Sequence, residues 1–206
     1  CYNMNISDLT GIEAFTALMH LRCSNNQLTS LDVSSNLALT SLDCGDNLLT
    51  SLDVSDNTAL TSLNCGGNQL TSLDVSSNLA LIALDCGENQ IINLDLSNNS
   101  NLVELNCNDN FFESLDLRNG NNINMRYDFP DSAPGISVYG NPSLTCIDVD
   151  NSIYCNANWG SYMDPQHYYS DNCPPSAIQE NTKNKELLKL TDLLGRETKQ
   201  TNQPLF

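Results

Sequence analysis

Apolar positions between residues 18 and 122 recur every 21 residues, which is neither a helical nor a simple strand spacing. Cys23, Cys44, Cys65, Cys86 and Cys107 form one row, and Leu31, Leu52, Leu73, Leu94 and Leu115 a second. Asn26, Asn47, Asn68, Asn89 and Asn110 form a polar row in the same register. A fixed period in the twenties implies one supersecondary unit per repeat, stacked along an axis. The unit reads Leu-x-x-Leu-x-Cys-x-x-Asn-x-Leu-x-x-Leu-Asp-Val-Ser-x-Asn-x-Ala, with copies at 18–38, 39–59, 60–80, 81–101 and 102–122. Leu42 and Cys44 flank Asp43, and Leu52 and Val54 flank Asp53. Both are period-two patterns, so each repeat predicts two short strands. The half-units Leu39–Asn47 and Leu49–Asn57 are near copies offset by ten residues, which predicts a strand on both sides of every coil. The inward positions are then Leu, Val, Cys and Ala in stacked rows.

This repeat resembles the leucine-rich-repeat family, whose core is Leu-x-x-Leu-x-Leu-x-x-Asn-x-Leu, with cysteine here in the third apolar slot. It is most similar to the short 21-residue subclass of bacterial secreted proteins. The resemblance implies a β-rich, right-handed solenoid with short strands on both walls and a cap at each end. The implied organisation is an N-terminal cap or degenerate coil over 1–17, five repeats over 18–122, a C-terminal cap over 123–173, and a tail over 174–206. The degenerate coil carries Ile6, Leu9, Ile12 and Phe15; segment 123–143, rich in Asn, Pro and Gly, is expected to loop.

The run Leu144-Thr-Cys-Ile-Asp-Val-Asp150, followed by Tyr154, Trp159 and a closing Cys173, also resembles segments of related repeat proteins. That match implies a Cys146–Cys173 disulfide stapling the cap. Spacing alone leaves the pairing open, because Cys1, Cys146, Cys155 and Cys173 allow three fully paired connectivities. Such a bond belongs to an oxidising compartment. In the tail, Leu187-Leu-Lys-Leu-Thr-Asp-Leu-Leu-Gly-Arg-Glu197 resembles the start of the type IX secretion sorting domain of Bacteroidetes. It implies export to the medium or to the outer-membrane surface of a Gram-negative bacterium.

Charge narrows the partners. The formal net charge is −17, and residues 1–173 hold three basic residues against 21 acids. Such a surface repels phosphate backbones and anionic lipids, so nucleic acid is excluded as a partner. No apolar run is long enough to insert into a bilayer. The chain is expected to be a monomer.

The rows carry the candidate chemistry. Inward cysteines behave as small hydrophobes, and no His or paired CxxC spacing supplies a zinc site. The five Asn of the first row are expected to bond turn backbone, as are Asn36, Asn57, Asn78 and Asn99 of a second row. Asp32, Asp53, Asp74, Asp95 and Asp116 form a carboxylate row on the second strand. Its expected role is structural, each carboxylate accepting hydrogen bonds from neighbouring serines. Weak calcium binding along it is the alternative, although the loop pattern of known calcium sites is absent. The outward positions of the first strand are small, polar and acidic. In the family that wall binds partners, which assigns ligand contact to Arg22, Asp43, Asn64, Asp85, Glu104 and Asn106. No aromatic residue is expected on this wall, so no strong sugar platform is. Trp159 is expected to fill the cap core.

His20 and His167 are the only histidines, and no nucleophile–base arrangement or phosphate-binding loop is visible. No catalytic residue, metal or cofactor is expected. The expectation is a non-enzymatic recognition or adhesion module for a protein or glycan. The alternatives are a cation-dependent surface protein, and a structural or ice-interacting solenoid built on the ranks at Thr29, Thr50 and Thr71.

Overall fold

A computed structural model describes residues 1–125, 135–159 and 163–174. The repeats stack with the 21-residue register intact. Strands β1 (His20–Arg22), β2 (Ser41–Asp43), β3 (Ser62–Asn64), β4 (Ala83–Asp85) and β5 (Glu104–Asn106) form a parallel ladder, Leu21 opposite Leu42, Leu42 opposite Leu63, and onward. Each strand buries its central leucine and sets its neighbours at the surface. Immediately after each strand the cysteine turns inward; its N–H extends the ladder, as where Cys44 donates to the Asn64 carbonyl at 2.8 Å. Burial of each leucine contributes roughly 1.5–3 kcal/mol.

The turn after this wall is fixed by asparagine. Asn68 Oδ1 accepts the Leu49 N–H at 3.0 Å, and its Nδ2 reaches the carbonyls of Cys44, Cys65 and Gly66 at 3.1, 3.0 and 3.2 Å. One side chain thereby ties two consecutive coils together. Asn47, Asn89 and Asn110 repeat the arrangement. Asn26, at the first coil, accepts the N–H groups of Met4 and Ile6.

The second wall departs from expectation. Leu52-Asp53-Val54 and its equivalents form no continuous ladder, although Val54 is buried. Asp53 Oδ1 accepts the N–H of Ser55, and the Asn57 N–H bonds Val54 O, so the chain turns soon after the apolar pair. A second sheet forms only toward the C-terminal end, as β6 (Leu115–Asp116), β8 (Cys146–Asp148) and β9 (Tyr168–Ser170).

Segment 123–143, expected to loop, supplies a sixth rung. Strand β7 (Ile136–Ser137) pairs parallel with β5, Leu105 opposite Ile136 and Asn106 opposite Ser137. Val138 takes the buried cysteine position, and Asn141 bonds the carbonyls of Cys107 and Val138 as earlier asparagines do. Asn119, rather than the residue at Gly120, continues the second asparagine row by donating to Asn99 O at 3.1 Å.

The stack closes on helix α1 (Ser152–Asn158), whose N-terminus is capped by the Asn151 side chain accepting from the Tyr154 N–H. Trp159 is buried and meets Tyr169 edge-on, with ring centroids 5.4 Å apart. It is core, not a ligand platform. Cys146 and Cys173 are joined as a disulfide across a separation of 27 residues. The contacts separate Cys1–Pro174 from Pro175–Phe206, and the sorting-tail segment lies outside the described residues.

Candidate functional site

The outward side chains of the first wall stand in columns one strand spacing apart, roughly 4.8 Å. One column reads Arg22, Asp43, Asn64, Asp85, Asn106 and Ser137. Carboxylates alternate with amides along it. Asn64 Nδ2 donates to Asp43 Oδ1 at 3.2 Å, and Asn106 Nδ2 donates to Asp85 Oδ2 at 3.1 Å. The alternation keeps adjacent acids apart, where like charges at one strand spacing would repel. Ser24 Oγ donates to Asp43 Oδ2 at 2.8 Å at the other end.

The next outward column is Ser24, Gly45, Gly66, Gly87, Asn108 and Tyr139. Here close approach of the neighbouring side chains favours glycine: a Cβ on Gly66 would lie 2.9 Å from Asp85 Oδ1 and one on Gly45 3.0 Å from Asn64 Oδ1. The polar side chains of the neighbouring column lean over this glycine floor. Beyond it, Asn25, Asp46, Gly67, Glu88, Asp109 and Gly140 all hold the left-handed conformation, with φ between 50° and 72°. The Asp46 and Asp109 carboxylates lie over Gly67 and Gly140, where any Cβ would collide.

Together these columns enclose a polar groove of about 170 Å³, flanked by Asp46, Asp85, Glu88 and Asp109 and ended by Tyr139. Of the residues assigned to ligand contact, Asn64, Asp85 and Asn106 line the groove; Asp43, Arg22 and Glu104 stand on the same wall outside it. Glu88 and Asp109, just beyond the outward strand positions of this acidic face, were not among the residues assigned to contact, and Tyr139 was missed altogether. Ile136-Ser137-Val138-Tyr139-Gly140-Asn141 carries the apolar-x-apolar-x-x-Asn signal, but it follows Asn110 by 31 residues instead of 21. The wall therefore does carry one aromatic ring, 48% exposed.

The other rows sit apart from this groove. Cys44, Cys65, Cys86 and Cys107 are fully buried, and burial raises their thiols well above the usual range. Cys23 is pushed up to about 12, first by burial and then by the nearby Asp43 charge. Asp32, Asp53 and Asp74 are exposed on the second wall and held below the usual carboxylate range by hydrogen bonds from Ser34, Ser55 and Ser76. Asp95 accepts from the Ser97 N–H, and Asp116 pairs with Arg118. Among the described residues no three His, Cys, Asp or Glu side chains gather as a metal site, and no helix is long and apolar enough to cross a membrane. His167 is buried in the cap, its Nε2 3.3 Å from the Asn141 carbonyl oxygen.

Comparison with known proteins agrees with this architecture. No protein-family model matches the chain. Internalin J of Listeria monocytogenes is 50% identical over 36 residues, 18% of this chain and 4% of that protein. A structure of the functional domain of internalin J, described as including a cysteine ladder, superposes with a TM-score of 0.52 at 37% identity, over 72% of this chain and 29% of that one. Internalin F of the same species aligns at TM-score 0.54 and 22% identity, over 83% of this chain and 46% of that one. A leucine-rich-repeat protein of Leptospira interrogans aligns at 0.52 and 24%, over 67% of this chain and 34% of that one. The last two establish the fold alone. The chain spans less than a third of the internalin J structure and under half of internalin F. The fold is a right-handed leucine-rich-repeat solenoid. These comparisons correct the expected Bacteroidetes affiliation, with its type IX sorting tail and Gram-negative outer surface. The relatives matched in sequence are internalins of Listeria, a Gram-positive genus.

Proposed function

We propose that this chain is a non-enzymatic recognition and adhesion module, working outside the cell as a monomer and engaging a protein or glycan through its first wall. The observation that carries this reading is the rigid presentation of the Asp43, Asn64, Asp85 and Asn106 column. Its side chains are half-buried and pinned by bonds between coils, yet face outward in one file. Polar groups pre-organised in this way lose little freedom on binding, which is the usual limit on polar interfaces. The internalin likeness supports the same class. The six residues assigned to contact remain Arg22, Asp43, Asn64, Asp85, Glu104 and Asn106, with the groove at their C-terminal edge.

The cation-dependent reading has less support, because the second-wall aspartates already accept the N–H two residues on. The ice-interacting reading is weakened where Ile92 and Glu113 interrupt the threonine rank. The test is attachment of the labelled protein to arrayed glycans and to epithelial cell surfaces. Asp43→Lys, Asp85→Lys and Glu104→Lys combined should reduce attachment at least tenfold. Unchanged attachment in a folded triple variant removes the wall as the binding surface.

A further inference from the structure

The groove beside the strand wall offers donors and acceptors side by side, next to an aromatic ring. The Asn64 and Asn106 amides each give one N–H to a carboxylate of the preceding coil, Asp43 and Asp85. An amide nitrogen carries two hydrogens, so each keeps a second N–H to give. The oxygens of the same amides accept the Gly66 and Asn108 N–H groups, which fixes the direction in which those hydrogens point. Asp85 Oδ1 accepts the Gly87 N–H at 3.1 Å, and a carboxylate oxygen has room for a second donor. Glu88 and Asp109 add carboxylates with no ion-pair partner among the described residues. Tyr139 closes one end with an exposed ring and a hydroxyl. At about 170 Å³ the groove is smaller than the pockets of drug-sized ligands, which begin near 300 Å³. It has room for a single small ring.

We propose that this groove binds one sugar residue of a neutral glycan, its ring packed on Tyr139 and its hydroxyls held between the Asn106 amide and the Asp85 carboxylate. The inference rests on the wall being the recognition surface and names the ligand class of its C-terminal edge. A sugar hydroxyl both donates and accepts. The Asp85–Asn106 pair, joined at 3.1 Å, presents an acceptor beside a donor, so two neighbouring hydroxyls are both satisfied there. Ammonium and guanidinium groups only donate, and would leave the amide hydrogens unmet. Sugars bearing a carboxylate or sulfate would meet Asp85, Glu88 and Asp109 with like charge. The acids alone would suit any cation; the amide hydrogens and the aromatic ring are what select a sugar. Tyrosine suits the second role, because its ring packs against the C–H face of a pyranose while its hydroxyl stays in water. On the floor, Gly66 and Gly87 put no side chain between a flat ring and the backbone. Bonds between coils already hold Asn64 and Asn106 in place, so little side-chain freedom is lost on binding.

The probes are lactose, maltotriose, mannotriose and N,N′-diacetylchitobiose, all neutral, with sialyllactose and the peptide acetyl-Gly-Arg-Gly-Arg-Gly-amide as charged comparisons. Each is titrated at millimolar concentration into the isotope-labelled full chain and followed by backbone and asparagine side-chain amide shifts. At least one neutral sugar should shift Gly66, Gly87 and the side-chain amides of Asn64 and Asn106. Both charged probes should bind about tenfold more weakly than that sugar, or less. Tyr139→Ala should weaken the sugar about tenfold and Tyr139→Phe about threefold, the ring contributing more than the hydroxyl. Asn106→Ala should weaken it about tenfold. Asp53→Asn, on the opposite wall, should leave it unchanged. Unaltered second-wall amides in each variant show that the coils remain stacked. The proposal is overturned if no neutral sugar shifts the groove amides, if the arginine peptide or sialyllactose matches the best neutral sugar, or if Tyr139→Ala binds as the parent does. The two readings fail separately. Retained cell attachment in the Asp43, Asp85 and Glu104 reversal removes the wall; attachment lost there, with no neutral sugar in the groove, removes the sugar site alone.

Discussion

The two walls of each coil begin from nearly the same sequence and end as different structures. Leu42-Asp43-Cys44 belongs to a continuous parallel ladder, whereas Leu52-Asp53-Val54 forms none. Within this coil the two aspartates are also used differently. Asp43 turns sideways to the Asn64 amide of the next coil. Asp53 turns along its own chain to the Ser55 N–H, making a tight turn. The asparagines that follow differ likewise. Asn68 satisfies its oxygen and reaches three carbonyls, whereas Asn78 donates to Val54 and Asn57 and leaves its Oδ1 buried without a partner. The first wall bonds coil to coil through backbone and side chain. The second packs apolar side chains, turns locally, and is tied coil to coil by its asparagine amides rather than by a backbone ladder.

That contrast is tested most severely by removing equivalent asparagines. Asn68→Ala strands the buried Leu49 N–H and loosens three carbonyls, and should cost about 3–5 kcal/mol. Asn78→Ala removes two bonds along with an oxygen that already lacks a partner, and should cost about 1–2 kcal/mol. Chemical denaturation of both variants measures the difference, and equal losses would erase the distinction between the walls.

A smaller effect comes from the thiols behind the first wall. Burial raises their folded-state values above the unfolded value, to about 12 for Cys23. The fold therefore holds these protons more tightly than the unfolded chain does. The resulting stability is fully present below about pH 8.5, the ordinary thiol range, and is lost as pH rises toward the folded values. The denaturation midpoint should fall between about pH 8 and pH 10, and Cys65→Val should make that fall shallower. At about pH 8, an aromatic disulfide reagent should modify Cys1, the one exposed free cysteine, and spare the ladder until unfolding.

The smallest effect is expected on the exposed face of the second wall. Asp53→Asn keeps an oxygen for the Ser55 N–H, so the midpoint at neutral pH should not move measurably. Asp53→Ala removes the turn bond and should lower it. A large loss in the asparagine variant would make the carboxylate charge itself structural.

The coil was legible because repetition amplifies a weak signal. One Leu-x-Cys-x-x-Asn string is ambiguous, but copies in register force equivalent residues into neighbouring rows, since only stacking buries each apolar face. The groove was only half legible. Asn64, Asp85 and Asn106 follow from strand alternation. Glu88 and Asp109 flank the groove only because the chain turns left-handed after each strand, and Tyr139 enters the wall only because a longer connection returns the chain to register. Period counting cannot see a rung displaced by ten residues.

The sequence by itself determined the stacking, the buried leucine and cysteine rows and the asparagine turns, because their periodicity leaves one economical way to remove apolar surface from water. Tertiary structure decided which of two similar segments became a ladder, how the sixth rung joined, and which acids face one another across the glycine floor. Those outcomes depend on hydrogen bonds between residues a full coil or more apart. No local pattern specifies a bond whose partner is chosen by the register of the neighbouring coil.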